Sequence, residues 1–155
     1  MKMKSMWILL SILIFTINGN ASSTFKWITP TVSSCKSNGG EIDSNGFCST
    51  FWENAKKICS TNSARLPTIE ELEEEMRKCE GIVVKNQSNY IGLWNKNKAN
   101  NHYQKCYKAK GFGSSYYWSF TTSENYSLGA WIVNFLNGLS SVSSKPNDYY
   151  VRCVR

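Results

Sequence analysis

The chain has few of the residues that hydrolytic and metal-dependent enzymes need. It contains one histidine, His102, and two aspartates, Asp43 and Asp148. A serine hydrolase triad would have to draw on these three residues, and no Gly-x-Ser-x-Gly elbow accompanies the many serines. The paired Cys-x₂-Cys or Cys/His spacings typical of zinc sites are absent as well. The sequence therefore predicts a protein that is not an enzyme and that uses neither a metal nor a cofactor.

Long apolar runs are also scarce. One extends from Met6 to Ile17 behind two lysines, and it is too short to span a bilayer core of roughly 30 Å. Small residues suited to a cleavage site follow at Gly19-Asn20-Ala21. We predict a secretory signal peptide over residues 1–21 and no membrane span after its removal. The mature chain is expected to be secreted or periplasmic, or held at the cell surface.

All six cysteines lie beyond the predicted cleavage site, at positions 35, 48, 59, 79, 106 and 153. An even number of cysteines in an exported chain indicates disulfides rather than metal binding or redox chemistry. Six cysteines allow fifteen pairings, and the residues alone do not choose among them.

Charge is distributed unevenly along the chain. Removal of the signal peptide with its two lysines leaves sixteen basic and eleven acidic residues, a formal net charge of +5. Acidic residues are concentrated in one stretch, at Glu70, Glu71, Glu73, Glu74 and Glu75. Basic residues are concentrated in a later stretch, at Lys85, Lys96, Lys98, Lys105, Lys108 and Lys110. We therefore expect an electrostatic dipole with a basic end.

Two capping boxes predict two helices. Thr50 and Glu53 fit the first box, and Thr68 and Glu71 fit the second. Apolar residues follow each box at helical spacing and predict two buried stripes, namely Trp52, Ala55, Ile58 and Cys59, then Ile69, Leu72, Met76 and Cys79. In the second helix, Glu70 with Glu74 or Glu71 with Glu75 suits a cation site, but a solvated acidic face is favoured because hard-cation sites usually take their ligands from loops.

Short apolar or aromatic runs predict the strands. In the first half these are Phe25–Ile28 and a short hairpin between the turn residues 38–40 and 43–46, whereas Gly81–Val84 and Tyr90–Trp94 suit strands or strand-like core segments. At the end they are Tyr116–Phe120, Gly129–Phe135 and Tyr149–Arg155, which predict a β-meander. Asn137-Gly138 predicts a type I′ turn between the last two. Residues 95–115 lack a sustained period and predict a long loop.

Several motifs, taken in order, resemble one bacterial family. They are Trp52-x-x-Ala55-x-x-x-Cys59, Arg65-Leu66-Pro67-Thr68-x-x-Glu71-Leu72, Tyr117-Trp118-Ser119, Ala130-Trp131-x-Val133-x-Phe135-x-x-Gly138, Lys145, and Val151–Arg155. Together they resemble the C-terminal domain of the Legionella collagen-like (Lcl) adhesins, which is similar in fold to C-type lectins. The resemblance implies one α+β domain over residues 22–155, with a C-type-lectin-like fold of two helices, an antiparallel sheet, a long loop region and three disulfides.

The resemblance also implies that the first strand pairs with the last, and it implies the disulfide pairing. It pairs Cys59 with Cys153 and Cys35 with Cys48, which leaves Cys79 with Cys106. Closing the long Cys59–Cys153 loop is expected to contribute on the order of 4 kcal/mol of stability. The calcium motifs of C-type lectins, Glu-Pro-Asn, Gln-Pro-Asp and Trp-Asn-Asp, are absent, and in Lys145-Pro146-Asn147-Asp148 a lysine replaces the carboxylate. Binding is therefore expected to be independent of calcium.

A binding or adhesion module is the function expected from this resemblance. The candidate ligand-binding residues in the long loop are Lys96, Lys98, His102, Lys105, Lys108 and Lys110, interleaved with the aromatic residues Tyr103, Tyr107 and Phe112. Charge and aromatic stacking would suit a sulfated glycan or another extracellular polyanion, whereas the alternative is a solvated lysine-rich loop. Asn125 and Tyr126, in the loop from Thr121 to Leu128, form a second candidate surface.

Other partners and classes stay open at this point. A protein partner is an alternative to a glycan, and nucleic acid is a weaker partner for an exported chain. Other classes are a structural subunit of an envelope assembly and an enzyme related to formylglycine-generating oxidases, whose cysteine chemistry conflicts with six cysteines assigned to disulfides. The chain lacks the Gly-X-Y repeats that trimerise the collagen-like adhesins, so its oligomeric state is not predicted.

Overall fold

A computed structural model describes residues 26–85 and 89–155 of the chain. The predicted signal peptide lies outside the described residues, as does Phe25 of the predicted first strand. The described residues form an α+β structure with five helices and eight strands. Two helices were predicted, so the helical content is larger than expected.

The helices and strands follow one another in an irregular order. The helices are α1 (Val32–Ser37), α2 (Trp52–Thr61), α3 (Ile69–Arg77), α4 (Tyr90–Ala99) and α5 (Asn101–Ala109). The strands are β1 (Trp27–Ile28), β2 (Glu41–Ile42), β3 (Cys48–Thr50), β4 (Tyr116–Thr122), β5 (Gly129–Asn134), β6 (Ser140–Ser144), β7 (Tyr149–Tyr150) and β8 (Cys153–Val154).

The strands form two sheets. Six strands pair in the order β2-β3-β7-β4-β5-β6, and all neighbours in it are antiparallel except β4 and β7. The first strand, β1, pairs with the last, β8, as the resemblance implied, and Ile28 lies opposite Cys153. The two ends of the described chain therefore meet beside the main sheet.

Two apolar cores cover the two faces of the main sheet. Alternation along β4 sends Trp118 to the core that α2 covers and Tyr117 to the core that α3 and α5 cover. On β5, Ile132 and Val133 divide between the same two cores. The predicted stripes of α2 and α3 are both buried, so the pattern of apolar residues identified the inward faces correctly.

Three disulfides tie these elements together. Cys35 is bonded to Cys48, Cys59 to Cys153 and Cys79 to Cys106, which are the pairs that the resemblance implied. Cys59 is on α2 and Cys153 on β8, so this disulfide links an early helix to the last strand. Three disulfides indicate an oxidising, extracytoplasmic environment.

Only one of the two predicted capping boxes is present. On α3, Thr68 accepts a hydrogen bond from the Glu71 amide, and the Glu71 side chain accepts from the Thr68 amide. On α2 the N-cap is Phe51, which makes no side-chain cap. The hydroxyl of Thr50 instead donates to the carbonyl of Gly39 at 2.9 Å. The first box was wrong because a tertiary partner competes for the threonine.

The predicted long loop is largely helical. Residues 95–115 contain the second half of α4 and all of α5. Tyr90–Trp94, predicted as a strand or a strand-like core segment, forms the first turns of α4. Among the residues of α4 only Asn97 is buried, so this helix has no apolar stripe to reveal it. Gly81–Val84 forms no regular strand, although Val84 makes an isolated parallel bridge to Leu139.

The C-terminal meander is more divided than predicted. Asn137-Gly138 does lie in a turn, but it joins β5 to β6, a strand that the sequence did not reveal. Gly138 has a φ of +82° and Asn137 has a negative φ, so the turn is not type I′. The predicted last strand, Tyr149–Arg155, splits into β7 and β8, which belong to different sheets.

The acidic side of α3 is not a solvated face. Glu71, Glu73 and Glu75 are buried, and each carboxylate binds a basic side chain, at 2.6 Å in every case: Arg65 for Glu71, Lys85 for Glu73 and Lys110 for Glu75. Of the four glutamates predicted to form a solvated face, only Glu70 and Glu74 are exposed. Three of the five glutamates of this stretch are therefore paired with basic side chains inside the fold.

Candidate functional site

The candidate basic residues lie on two consecutive helices. Lys96 and Lys98 are near the end of α4, and His102, Lys105 and Lys108 follow one another at intervals of three along α5. All five side chains are exposed, and we call these five residues the basic face. Within residues 26–85 and 89–155, none of its lysines forms a salt bridge, while His102 lies 4.0 Å from the carboxylate of Glu80. Their charge is directed towards solvent.

Lys110 does not extend this face. Its Nζ lies 2.6 Å from Oε1 of the buried Glu75, whose other oxygen accepts a hydrogen bond from the Trp27 indole at 3.1 Å. This ion pair links α3 to the end of α5. Because a buried carboxylate already balances its charge, Lys110 is not available to pair with an anionic ligand.

The aromatic residues of the predicted loop do not form a stacking surface. Tyr103, Tyr107 and Phe112 are at most 1% exposed and belong to the core beneath α5. The Tyr103 hydroxyl donates to the Phe135 carbonyl at 2.6 Å, and burial raises the pKa of Tyr103 above its ordinary value. The prediction that these rings stack on a ligand is wrong.

A cleft lies where the basic face ends. Its volume is about 380 Å³, and it is lined by Asn45, Phe47, Lys108, Phe112, Gly113, Ser114 and Tyr150. We call it the aromatic cleft because the rings of Phe47 and Tyr150 stack beside it, with centroids 5.1 Å apart and planes at 21°. Lys108 belongs both to the basic face and to this cleft. The sequence analysis singled out Lys108 and Phe112 of this lining, but not Asn45, Phe47 and Tyr150, which come from two distant segments.

One carboxylate positions the wall of the cleft. Asp43 accepts hydrogen bonds from the amides of Asn45 and Phe47, at 2.8 and 2.9 Å, and from the Tyr150 hydroxyl. These bonds, that of Tyr150 first, hold the pKa of Asp43 below its ordinary value. Burial, together with the bond to Asp43, raises the pKa of Tyr150 to about 12. The turn between β2 and β3 is thereby joined to β7.

Arg152 and Tyr117 position the floor of the cleft. The buried guanidinium of Arg152 donates to the carbonyls of Lys110 and Gly111 and lies 4.8 Å from the Phe112 ring. The Gly113 amide donates to the Tyr117 hydroxyl at 2.6 Å. A Cβ on Gly113 would lie 3.0 Å from both the Phe47 and the Tyr150 rings. The absence of a side chain at residue 113 therefore keeps this cleft open.

The charge on Asp43 gives a pH prediction. A lowered folded-state pKa contributes stability that is present above the unfolded value, about 3.9, and is lost as pH falls through the folded value. Asp43→Asn is therefore expected to be less stable than the wild type at pH 7. The difference is expected to shrink below about pH 4, where this carboxylate becomes protonated first in the unfolded wild type and, at lower pH, in the folded protein.

Urea unfolding of both proteins between pH 7 and pH 2 measures this difference. The other acidic residues are common to both proteins and cancel. A difference that stays constant across this range would contradict a role for the Asp43 charge in holding the cleft wall.

Asn125 and Tyr126, which form the second predicted surface, do not line the same cleft. Asn125 lines another cleft, of about 290 Å³, together with Ile69, Glu70, Lys85, Thr121, Thr122, Ser123, Glu124 and Trp131. Tyr126 is not part of its lining, and the Tyr126 hydroxyl lies 2.8 Å from the Ser144 hydroxyl. Lys85 forms a salt bridge with Glu73, and Glu70 and Glu124 also line this cleft. The charge of the cleft lining therefore does not favour binding of an anion.

Two kinds of feature are absent from the part of the chain that the structure describes. In residues 26–85 and 89–155, no group of three or more His, Cys, Asp or Glu side chains is arranged to hold a metal ion. No helix in that part of the chain is long and apolar enough to cross a membrane.

Fold and surface define a class of protein: a small α+β domain, linked by three disulfides, that presents an exposed basic face beside a polar, aromatic-walled cleft. The sequence model of the family described as Lcl C-terminal domain matches residues 20–155, and the chain belongs to that family. No curated protein matches the chain, and no solved structure matches it either.

Proposed function

We propose that this protein is an exported, non-enzymatic binding or adhesion module for sulfated glycans or other polyanions, with a C-type-lectin-like fold and no need for calcium. Membership of the Lcl C-terminal domain family supports an adhesin-like role. The observation that carries the choice of ligand is the basic face, four of whose members are lysines with no salt-bridge partner among the described residues. Disulfides support a destination outside the cytoplasm.

The electrostatics of the fold favour this ligand class. The glutamates of α3 form ion pairs with Arg65, Lys85 and Lys110. The lysines of α4 and α5 have no salt-bridge partner among the described residues. A linear polyanion that binds along the basic face would release its condensed counterions, as nucleic acids do on binding proteins. Its association would also be steered by the local potential.

A triple variant tests the basic face. Lys96, Lys98 and Lys105 are changed to Gln, and Lys108 is left in place because it also lines the aromatic cleft. Affinity of the wild type for a sulfated polysaccharide is expected to fall by about tenfold or more between 50 and 200 mM salt. The triple variant is expected to bind weakly at low salt and to lose most of this salt dependence. Chelation of calcium is expected to change nothing.

The matched control changes Lys26, Lys36 and Lys57 to Gln. These three lysines are largely exposed and lie outside α4 and α5, so the control removes the same net charge. It is expected to bind like the wild type, and both variants are expected to stay within about 0.5 kcal/mol of its stability. Binding that survives the substitutions and high salt, or that the control loses equally, would contradict the proposal.

A further inference from the structure

The aromatic cleft has a chemistry that differs from that of the basic face. One wall consists of the stacked rings of Phe47 and Tyr150. Asn45 and Ser114 add neutral polar groups, and Lys108 is the one cationic side chain in the lining. An aromatic wall, neutral polar groups and a single cation are the elements that recognise a sugar ring with one negative charge.

We propose that the aromatic cleft binds a single uronic acid residue, that is, a pyranose ring carrying one carboxylate. Lys108 pairs with the carboxylate, and the apolar face of the ring packs on Phe47 and Tyr150. This inference rests on the proposed function, since it assigns the ligand class at the end of the basic face. It predicts that a non-sulfated uronate is recognised here, independently of the lysines on α4.

The charges around the cleft favour one carboxylate over several sulfates. The terminal nitrogens of Arg152 are engaged with the carbonyls of Lys110 and Gly111, so its guanidinium is not available to the ligand. Lys110 is paired with Glu75. The carboxylate of Asp43, which accepts a hydrogen bond from the Tyr150 hydroxyl, repels a second anionic group. Only Lys108 remains to bind an anion.

The hydroxyl of Ser114 is oriented for a sugar. The Tyr107 hydroxyl donates to Oε1 of Gln104 at 2.7 Å and lies 2.8 Å from the Ser114 hydroxyl. Since Tyr107 uses its proton on Gln104, Ser114 donates to Tyr107 and presents a lone pair to the cleft. Such an oxygen accepts a hydrogen bond from a sugar hydroxyl.

Size and preorganisation also suit one ring. The cleft volume of about 380 Å³ lies at the lower end of the range of roughly 300–1,000 Å³ found for small-molecule sites. Asp43 fixes one wall and Arg152 and Tyr117 fix the floor. A preformed site avoids the cost of ordering loops on binding, which matters for a ligand that makes few contacts.

The test is an NMR titration of the isotope-labelled protein with two sugars. Methyl β-glucuronide and methyl β-glucoside share the ring and differ in the carboxylate. The glucuronide is expected to shift the amide signals of Phe47, Gly113 and Ser114, with a dissociation constant on the order of 1 mM. The glucoside is expected to bind about tenfold more weakly, because it lacks the charge-assisted bond to Lys108.

Two variants and two matched controls locate the site. Phe47→Leu and Lys108→Gln are expected to weaken glucuronide binding at least about fivefold, through lost stacking and lost charge. Phe51→Leu and Lys57→Gln change an exposed phenylalanine and an exposed lysine outside the cleft and outside the basic face and are expected to bind normally. Gly113→Ala is a further variant, and its Cβ is expected to reduce binding by occupying the space between the two rings.

The outcomes separate this inference from the proposed function. Glucuronide shifts that are absent, that lie away from the cleft, or that persist in Phe47→Leu and Lys108→Gln would overturn the uronate site, whatever the sulfated polysaccharide does. Glucuronide binding with the expected losses supports the site even if the polysaccharide fails to bind, a result that would overturn the proposed function alone. Unchanged spectra outside the cleft verify that each variant is folded.

Discussion

Replacing both Cys59 and Cys153 with alanine is expected to lower the free energy of unfolding by about 4 kcal/mol. The disulfide joins residues separated by 94 positions, so its removal restores more conformational freedom to the unfolded chain than removal of either other disulfide. In the chain-entropy model the contribution grows with the logarithm of loop length. Both cysteines are fully buried, and the loss of their sulfur atoms adds a small cavity.

Urea unfolding under non-reducing conditions measures this effect, and the other two disulfides supply the controls. Cys79 and Cys106 are separated by 27 positions and Cys35 and Cys48 by 13, so the losses are expected to rank in the order of these separations. Removal of Cys35–Cys48 costing more than removal of Cys59–Cys153 would contradict the entropic account. Such a result would indicate that the short disulfide stabilises the folded state directly.

Glu73→Ala is expected to cost about 3 kcal/mol of stability. The carboxylate is 3% exposed; Oε1 lies 2.6 Å from Lys85 Nζ and 2.7 Å from the Ser140 hydroxyl, and Oε2 lies 3.1 Å from Arg77. Removing it leaves the buried Ser140 hydroxyl without its acceptor. Lys85 and Arg77 are about half exposed, so both can turn to water. The expected cost is therefore at the lower end of that for a broken buried pair.

Two substitutions on the same helix separate charge from hydrogen bonding. Glu73→Gln keeps an acceptor for Ser140 and is expected to lose less stability than Glu73→Ala. Glu74→Gln is the surface control, because Glu74 is 52% exposed and lies 4.0 Å from Arg77; its effect is expected to stay within about 0.5 kcal/mol. Equal effects of Glu73→Ala and Glu74→Gln in thermal or urea unfolding would show that the ion pairs of the buried Glu73 carboxylate do not contribute to stability.

The sequence was sufficient for features that depend on neighbours along the chain. The capping box of Thr68 and Glu71 and the buried stripes of α2 and α3 were predicted correctly, because a helix turn brings together residues three or four positions apart. The motifs shared with the Lcl C-terminal domain family led to the disulfide pairs and to the pairing of the first and last strands. The capping box and the stripes can be recognised from residue type and spacing, whereas the disulfide pairs and the strand pairing were implied by the family resemblance alone.

The same reasoning failed where helices lack a periodic apolar stripe. Apart from Asn97, the residues of α4 are all at least partly exposed, so no periodicity distinguishes this helix from a polar loop. In α5 the buried residues Tyr103 and Tyr107 are separated by one turn, but two aromatic residues among lysines also fit a stacking surface. The ambiguity is physical, since an aromatic ring is equally suited to a core and to a sugar.

Only the tertiary structure decided which charges face solvent and where a cleft opens. Glu75 and Lys110 are 35 positions apart, and Asp43 and Tyr150 are 107 apart. Nothing in the local pattern of either segment predicts the other, because the distance between two such side chains is determined by the packing of the elements that carry them. The sequence by itself determined the class of fold and the excess of positive charge, whereas packing left the lysines of α4 and α5 exposed and placed Lys108 beside two aromatic rings.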